Sequence, residues 1–247
     1  MAFKDLREFL VFLESKDQLR RIVAPVSCEL EITEIVDRTV KSGGPALMFE
    51  NVQGHDAPVL INIFGTHQRM AWALGVEDIE ELVQRIRKLL GLMQGPPQGV
   101  LGKLRTLGDL VGVARTQPKT VKRAPCQEVI LTGEDADVDM LPALKCWPED
   151  GGRYITLPLV ISRDPQSGRR NVGIYRMQIY DSHTLGMHWQ THKVGAHHFR
   201  VGEERDDERL EVAVALGGDP ATIWTGALPL PPIWTRSQCQ GSFEARR

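Results

Sequence analysis

The chain has 247 residues, 30 Lys+Arg against 32 Asp+Glu, a formal charge of −2 and 42% hydrophobic residues. Enough apolar surface is present to offset ordering entropy, which argues against a disordered chain, and near-neutral charge argues against a broad nucleic-acid footprint. No apolar run approaches the roughly 20 residues that cross a bilayer, and the charged N-terminus has no signal-peptide core. Cys28, Cys126, Cys146 and Cys239 form no CxxC pair and read as reduced thiols of a cytoplasmic protein.

Phe3, Leu6, Phe9, Leu10 and Leu13 recur at three- and four-residue spacing and predict an amphipathic helix over 3–16. A short strand follows at Leu19–Val26. Leu30, Ile32, Ile35, Val36 and Val40 mark a second helix, stopped by Ser42-Gly-Gly-Pro45. Ala46–Phe49 and Pro58–Phe64 read as strands. Val76–Leu90 reads as a helix with acids early and bases late, as its dipole prefers. Residues 1–92 therefore read as a small α/β domain.

Gly91–Gly102, with a Pro-Pro pair, opens a linker over 93–123 that closes on the basic stretch Lys119–Arg123, a solvated surface. From Gln127 onward the pattern is β-rich. Ile155–Ser162 and Asn171–Tyr180 read as strands joined by the turn Asp164-Pro-Gln-Ser-Gly168. Asp181–Leu185 reads as a second turn and Gly186–His192 as a third strand. Glu203–Arg209 is an exposed loop or helix end, and Leu210–Leu216 a strand of buried type. A meandering antiparallel barrel or sandwich fits this half.

Five histidines fall between His183 and His198. If Gly186–His192 is a strand, its two-residue period puts His188, Gln190 and His192 on one face. Such a row could line a polar cavity and supply a metal ligand or phosphate donors. Asn171 and Tyr175 share a parity in the preceding strand; Arg176 points the other way unless a bulge near Gly173 redirects it. An arginine there could grip a carboxylate or phosphate, or form a surface ion pair. As an alternative, His188 and His192 would share a helix face, as in zinc hydrolases, but Trp189 stands where HExxH needs its Glu.

Two runs, Asn171-Val-Gly-Ile-Tyr-Arg-Met-Gln178 and Met187-His-Trp-Gln-Thr-His-Lys-Val-Gly195, resemble the UbiD family of reversible decarboxylases. Supporting segments are LEITEIVDRTVKSGGPALMFENV (Leu30–Val52), INIFGTHQRMAWALG (Ile61–Gly75), RAPCQEVI (Arg123–Ile130), LPALKCWPEDGGRYITLPLVISRDP (Leu141–Pro165) and VAVALGGDPAT (Val212–Thr222). The resemblance implies an α+β fold: a small N-terminal α/β domain over 1–92, then an incomplete split β-barrel flavin-binding domain over 124–230. It implies decarboxylation of an aromatic or polyprenylated 4-hydroxybenzoate-type acid in ubiquinone or menaquinone biosynthesis. The implied cofactors are prenylated FMN and Mn²⁺, with a monovalent cation such as K⁺ nearby.

By the same matching, Asn171 and His192 are metal ligands. Ile174, Tyr175 and Arg176 form the first flavin-contacting segment; His188, Trp189 and Gln190 the second; Lys193 and Val194 the third. Arg176 also matches the arginine that holds the substrate carboxylate. Implied partners are the small aromatic acid, a flavin prenyltransferase that supplies the cofactor, other copies of the chain, and a membrane surface reached through a prenylated substrate. A non-catalytic flavin- or metal-binding module is the alternative.

The family pattern breaks after Ala227-Leu-Pro-Leu-Pro231, and residues 231–247 read as an aberrant tail. Back-translated one nucleotide out of phase, the tail regains an acidic helix of the family's type, so a frameshift is expected. A chain holding two of three metal ligands is expected to have little activity alone.

Overall fold

A computed structural model describes residues 3–84, 87, 121–207 and 209–228. Helix α1 (Leu6–Ser15) is shorter than the predicted 3–16 but buries Phe9 and Leu13 as their spacing requires. The chain folds as two compact units. One is drawn from Met1–Phe9, Thr66–Lys119 and Gly218–Arg247, the other from Leu10–Gly65 and Thr120–Gly217. Of the expected 93–123 linker, all but Val121–Arg123 lies outside the described residues, as does the whole 231–247 tail.

In the larger unit, β1 (Leu19–Ile22), β2 (Ala46–Phe49) and β3 (Val59–Ile61) form a sheet in that order, with β1 and β2 parallel and β2 and β3 antiparallel. Helix α2 (Glu31–Lys41) is the crossover between the parallel pair. Its apolar stripe (Ile32, Ile35, Val36) packs with Leu47, Phe49, Val59 and Leu144 into one core. Gly43 stops the helix at φ +70°, a left-handed conformation that costs glycine little, and its N–H bonds back to Val40 O at 3.0 Å. The predicted strand at 58–64 is cut to three residues. Asn62 turns to φ 66° and donates its side-chain amide to Pro45 O at 2.9 Å.

The second half of this unit holds two three-stranded antiparallel sheets. They are formed by β4 (Tyr154–Ile155), β5 (Leu159–Arg163), β6 (Arg170–Ile174), β7 (Met177–Ile179), β8 (Leu185–Met187) and β9 (Val212–Ala215). Their orders are β4-β7-β8 and β6-β5-β9. The α+β class holds, and no barrel closes among the described residues.

Both long strands expected here are split between the two sheets. Pro158, which lacks an N–H, separates β4 from β5. Tyr175 and Arg176 separate β6 from β7. The β5–β6 turn forms as its residues demand: Asp164 Oδ1 accepts from Gln166 N at 2.9 Å and Gly168 takes φ +68°. The expectation of a buried strand at 210–216 fails. Among the described residues strand β9 pairs only with β5, at the sheet edge, and all four of its residues are exposed.

Helix α3 (His67–Ala73) and α5 (Pro220–Thr225) belong to the smaller unit. Thr66 caps α3 by accepting from Arg69 N at 3.1 Å. Ala71, Leu74, Val76, Leu82 and Ala221 form this unit's core. Residues 79–84 and 87 of the helix expected at Val76–Leu90 are helical; 85, 86 and 88–90 lie outside the described residues. Among the described residues no helix is long and apolar enough to cross a membrane.

Candidate functional site

Strand β6 places Asn171 and Gly173 on one side, and Tyr175, the residue just after the strand, keeps the parity read from the sequence. At the end of β6 the Tyr175 ring folds back over Gly173. A Cβ on that glycine would stand 2.7 Å from Cε2, Cζ and Oη of the ring. Tyr175 is only 5% exposed. Its hydroxyl accepts from Asn171 Nδ2 at 3.2 Å and from Gly195 N at 3.1 Å. Gly195 is the second residue of α4 (Val194–Glu203), so one phenol oxygen ties β6 to the first turn of that helix.

Trp189 completes the arrangement. Its indole meets Tyr175 edge-on, with centroids 6.1 Å apart and planes at 79°. A Cβ on Gly195 would lie 2.8 Å from Trp189 Nε1, so the glycine makes the indole's seat. That nitrogen is buried and has no acceptor among the described residues. An unmet buried donor costs about 1–3 kcal/mol and calls for an explanation such as a ligand acceptor.

The start of α4 offers backbone donors of its own, of which the Gly195 N–H is already taken by Tyr175. Lys193 is its N-cap and makes no side-chain capping bond. The first N–H groups of a helix lack intrahelical partners, and the dipole there favours an anion. The loop before the helix is held by Lys193 N donating to Gln190 O at 2.9 Å and Arg200 Nη1 donating to Thr191 O at 2.8 Å.

The strand expected at Gly186–His192 is overturned beyond Met187. Its partner β7 begins at Met177, and the last rung is His188 N donating to Arg176 O at 3.0 Å. Before Arg176 the partner chain crosses into the other sheet, so the pairing ends. His188, Gln190 and His192 are exposed loop residues, neither a strand face nor a helix face. Among the described residues no group of three His, Cys, Asp or Glu is placed to hold a metal. His183 and His197 are also exposed.

The structure therefore brings Asn171, Tyr175 and Trp189 to the start of α4, where Lys193 and Val194 lie and which His192 immediately precedes. Ile174 ends β6, half-buried. Arg176 is exposed, with its guanidinium carbon 5.0 Å from the Tyr154 ring centroid.

Sequence reasoning missed α4 and its buried histidine. Gly195, Ala196, His198, Val201 and Gly202 are buried at helical spacing, but two glycines and two histidines mask the pattern. His198 (4% exposed) bonds through Nδ1 to Ser162 Oγ of β5 (2% exposed) at 3.0 Å, which pins α4 to the sheet. Burial lowers the His198 pKa, with Asp164 opposing and His197 adding to the shift.

With the folded value below the unfolded one, the unfolded chain binds more protons. The stability from neutral His198 is thus complete above roughly pH 6.5 and is lost as pH falls toward the folded value. The thermal midpoint is expected to drop on acidification from pH 7 to 5.5. His198→Asn should flatten that slope; an unchanged slope in a calorimetric pH series contradicts the assignment.

A helix N-terminus, a buried indole N–H without an acceptor and a carboxamide held by a phenol thus lie together in the larger unit. The N-terminal domain of 3-octaprenyl-4-hydroxybenzoate carboxy-lyase (UbiD) matches residues 10–88, and the family's Rift-related domain matches residues 119–246. The chain belongs to the UbiD family.

A protein of Archaeoglobus fulgidus is 48% identical over 231 residues, covering 94% of this chain and 47% of its own length. One of Aquifex aeolicus is 44% identical, covering 93% and 47%. The chain thus spans about half the length of the curated relatives it matches. An evolved dimeric form of the UbiD-class enzyme HmfF from Pelotomaculum thermopropionicum, in complex with prFMN, superposes with a TM-score of 0.79 at 27% identity. That match covers 98% of this chain and 51% of HmfF. Vanillic acid decarboxylase of Sedimentibacter hydroxybenzoicus shares the fold at a TM-score of 0.78 and 24% identity, covering 99% and 49%.

Proposed function

We propose that this chain forms the flavin-phosphate and metal site of a UbiD-class carboxy-lyase for an aromatic, 4-hydroxybenzoate-type acid in quinone biosynthesis. The observation that carries this is the Trp189 Nε1 donor, buried without an acceptor, against Gly195 at the start of α4. The residues present fit a phosphorylated flavin: a buried donor without an acceptor and a helix N-terminus both suit its phosphate.

Asn171 and His192 would hold the counter-cation, for which amide oxygen and imidazole suit Mn²⁺, with a monovalent ion such as K⁺ beside it. Tyr175 commits the Asn171 amide nitrogen, which presents the carbonyl side of the group. Ile174, His188, Gln190, Lys193 and Val194 complete the proposed flavin contacts. When bound, a prenylated flavin supplies the electron sink that decarboxylation of an unsaturated acid requires. Arg176 would orient the substrate carboxylate through paired N–H bonds. A flavin prenyltransferase would supply the cofactor, and assembly into homo-oligomers is proposed for the whole protein.

Titrating FMN into the purified chain with and without Mn²⁺ tests the site. Quenching of flavin fluorescence that strengthens with Mn²⁺ is expected. Binding indifferent to Mn²⁺, or no binding, overturns it.

A further inference from the structure

Arg176 sits where the chain leaves β6 for β7, and its own backbone gives it little restraint. Its carbonyl accepts from His188 N, while its side chain is exposed. A flexible guanidinium makes a poor anchor for a planar carboxylate, since each bond would first have to freeze several rotamers. The restraint comes from across the sheet. Tyr154 on β4 stands opposite Gln178 on β7, and the Arg176 guanidinium carbon lies 5.0 Å from the Tyr154 ring centroid.

The ring is itself fixed. Tyr154 Oη donates to Gln178 Oε1 at 3.2 Å, and Gln178 Nε2 donates to Gly151 O at 3.0 Å. Gly151 has no side chain to obstruct this: a Cβ there would stand 3.1 Å from Gln178 Nε2, and one on Gly152 3.4 Å from it. The sequence Gly151-Gly152-Arg153-Tyr154 therefore builds a hydrogen-bonded platform whose upper face is the phenol ring.

We propose that Tyr154 is a positioning residue for Arg176, with Gln178 and Gly151 holding the ring in place, a role that depends on Arg176 being the carboxylate anchor proposed above. A guanidinium held over an aromatic ring by the cation–π attraction keeps N–H donors available, and those donors are what a carboxylate takes in bidentate fashion. The ring contact thus restrains the side chain without consuming the donors.

The test uses the FMN- and Mn²⁺-loaded chain with 4-hydroxybenzoate as the carboxylate probe and phenol as the control, by calorimetry. Tyr154→Leu is expected to weaken 4-hydroxybenzoate about two- to fivefold, the range exposed cation–π contacts supply, and to leave phenol and FMN affinities unchanged. Tyr154→Phe, which keeps the ring and loses only the Gln178 bond, should fall between Tyr154→Leu and the unchanged protein. In an Arg176→Ala background, Tyr154→Leu should have no further effect. The Arg176 Hε and Hδ resonances should move downfield in Tyr154→Leu as the ring current is lost, a readout independent of any substrate.

Equal loss for phenol and 4-hydroxybenzoate, additive losses in the double variant, or unmoved Arg176 resonances overturn the platform role. By contrast, failure of the probe to bind, or of Arg176→Ala to weaken it, strikes the carboxylate-anchor reading instead. If Tyr154→Leu does not fold, Tyr154→Phe and the Arg176 resonances decide.

Discussion

Alanine at Gly173 is expected to cost the chain both stability and the proposed flavin site. The new methyl would stand 2.7 Å from three atoms of the Tyr175 ring. Strand β6 cannot withdraw, because Gly173 is in register with Val160 of β5, which is fully buried. The ring must move, so Asn171 Nδ2 and Gly195 N lose their shared acceptor. Overpacking costs about 1–3 kcal/mol, and each buried donor left unmet costs a similar amount.

At roughly 2–4 °C per kcal/mol for a chain of this size, the thermal midpoint should fall by about 5 °C or more. FMN affinity should fall at least about tenfold, a difference of about 1.4 kcal/mol. Tyr175→Phe separates the two effects, because it keeps the ring on Gly173 and removes only the hydroxyl. Its midpoint should fall less than that of Gly173→Ala, with FMN affinity still reduced. A Gly173→Ala chain that binds FMN as before refutes the coupling of Tyr175 to the site.

His192→Ala should give the opposite profile. His192 is exposed and precedes the N-cap of α4, so its loss should change stability by less than about 0.5 kcal/mol. Loss of a group that merely supports a metal ligand typically costs 10–100-fold in affinity, so loss of a ligand should cost about 100-fold or more in Mn²⁺ affinity. The Mn²⁺-dependent part of FMN binding should vanish with it, measured by the electron paramagnetic resonance of free Mn²⁺ alongside fluorescence titration. Asn171→Ala should show the same metal loss together with a lowered midpoint, because it also breaks the bond to Tyr175. Mn²⁺ affinity unaltered in His192→Ala removes His192 from the site.

How far these residues were legible in the sequence depended on the range of the interactions that place them. The shared parity of Asn171 and Tyr175 follows from the two-residue period of any strand, and it survives in β6. The same rule misled at His188–His192, because a strand persists only while a neighbour offers hydrogen bonds. That neighbour, β7, starts at Met177 after the chain has changed sheets. Helix α4 escaped notice because Gly195 and Gly202 lower its intrinsic propensity. Gly195 is there because the Trp189 indole occupies the space a side chain would need. Ser162 could not be paired with His198 from pattern alone, since 36 residues separate them.

Helical stripes and turn chemistry were sufficient for α1, α2, the Gly43 stop and the Asp164–Gly168 turn, because each depends on residues within a few positions of one another, while the family resemblance rested on whole matched runs such as Asn171–Gln178 and Met187–Gly195. Packing decided the split at Tyr175–Arg176, the exposure of β9, the seat of Trp189 and the convergence of Asn171 and Gly195 on one phenol. Those features arise where segments distant along the chain compete for the same space and the same hydrogen-bond partners, and that competition is resolved only in the folded molecule.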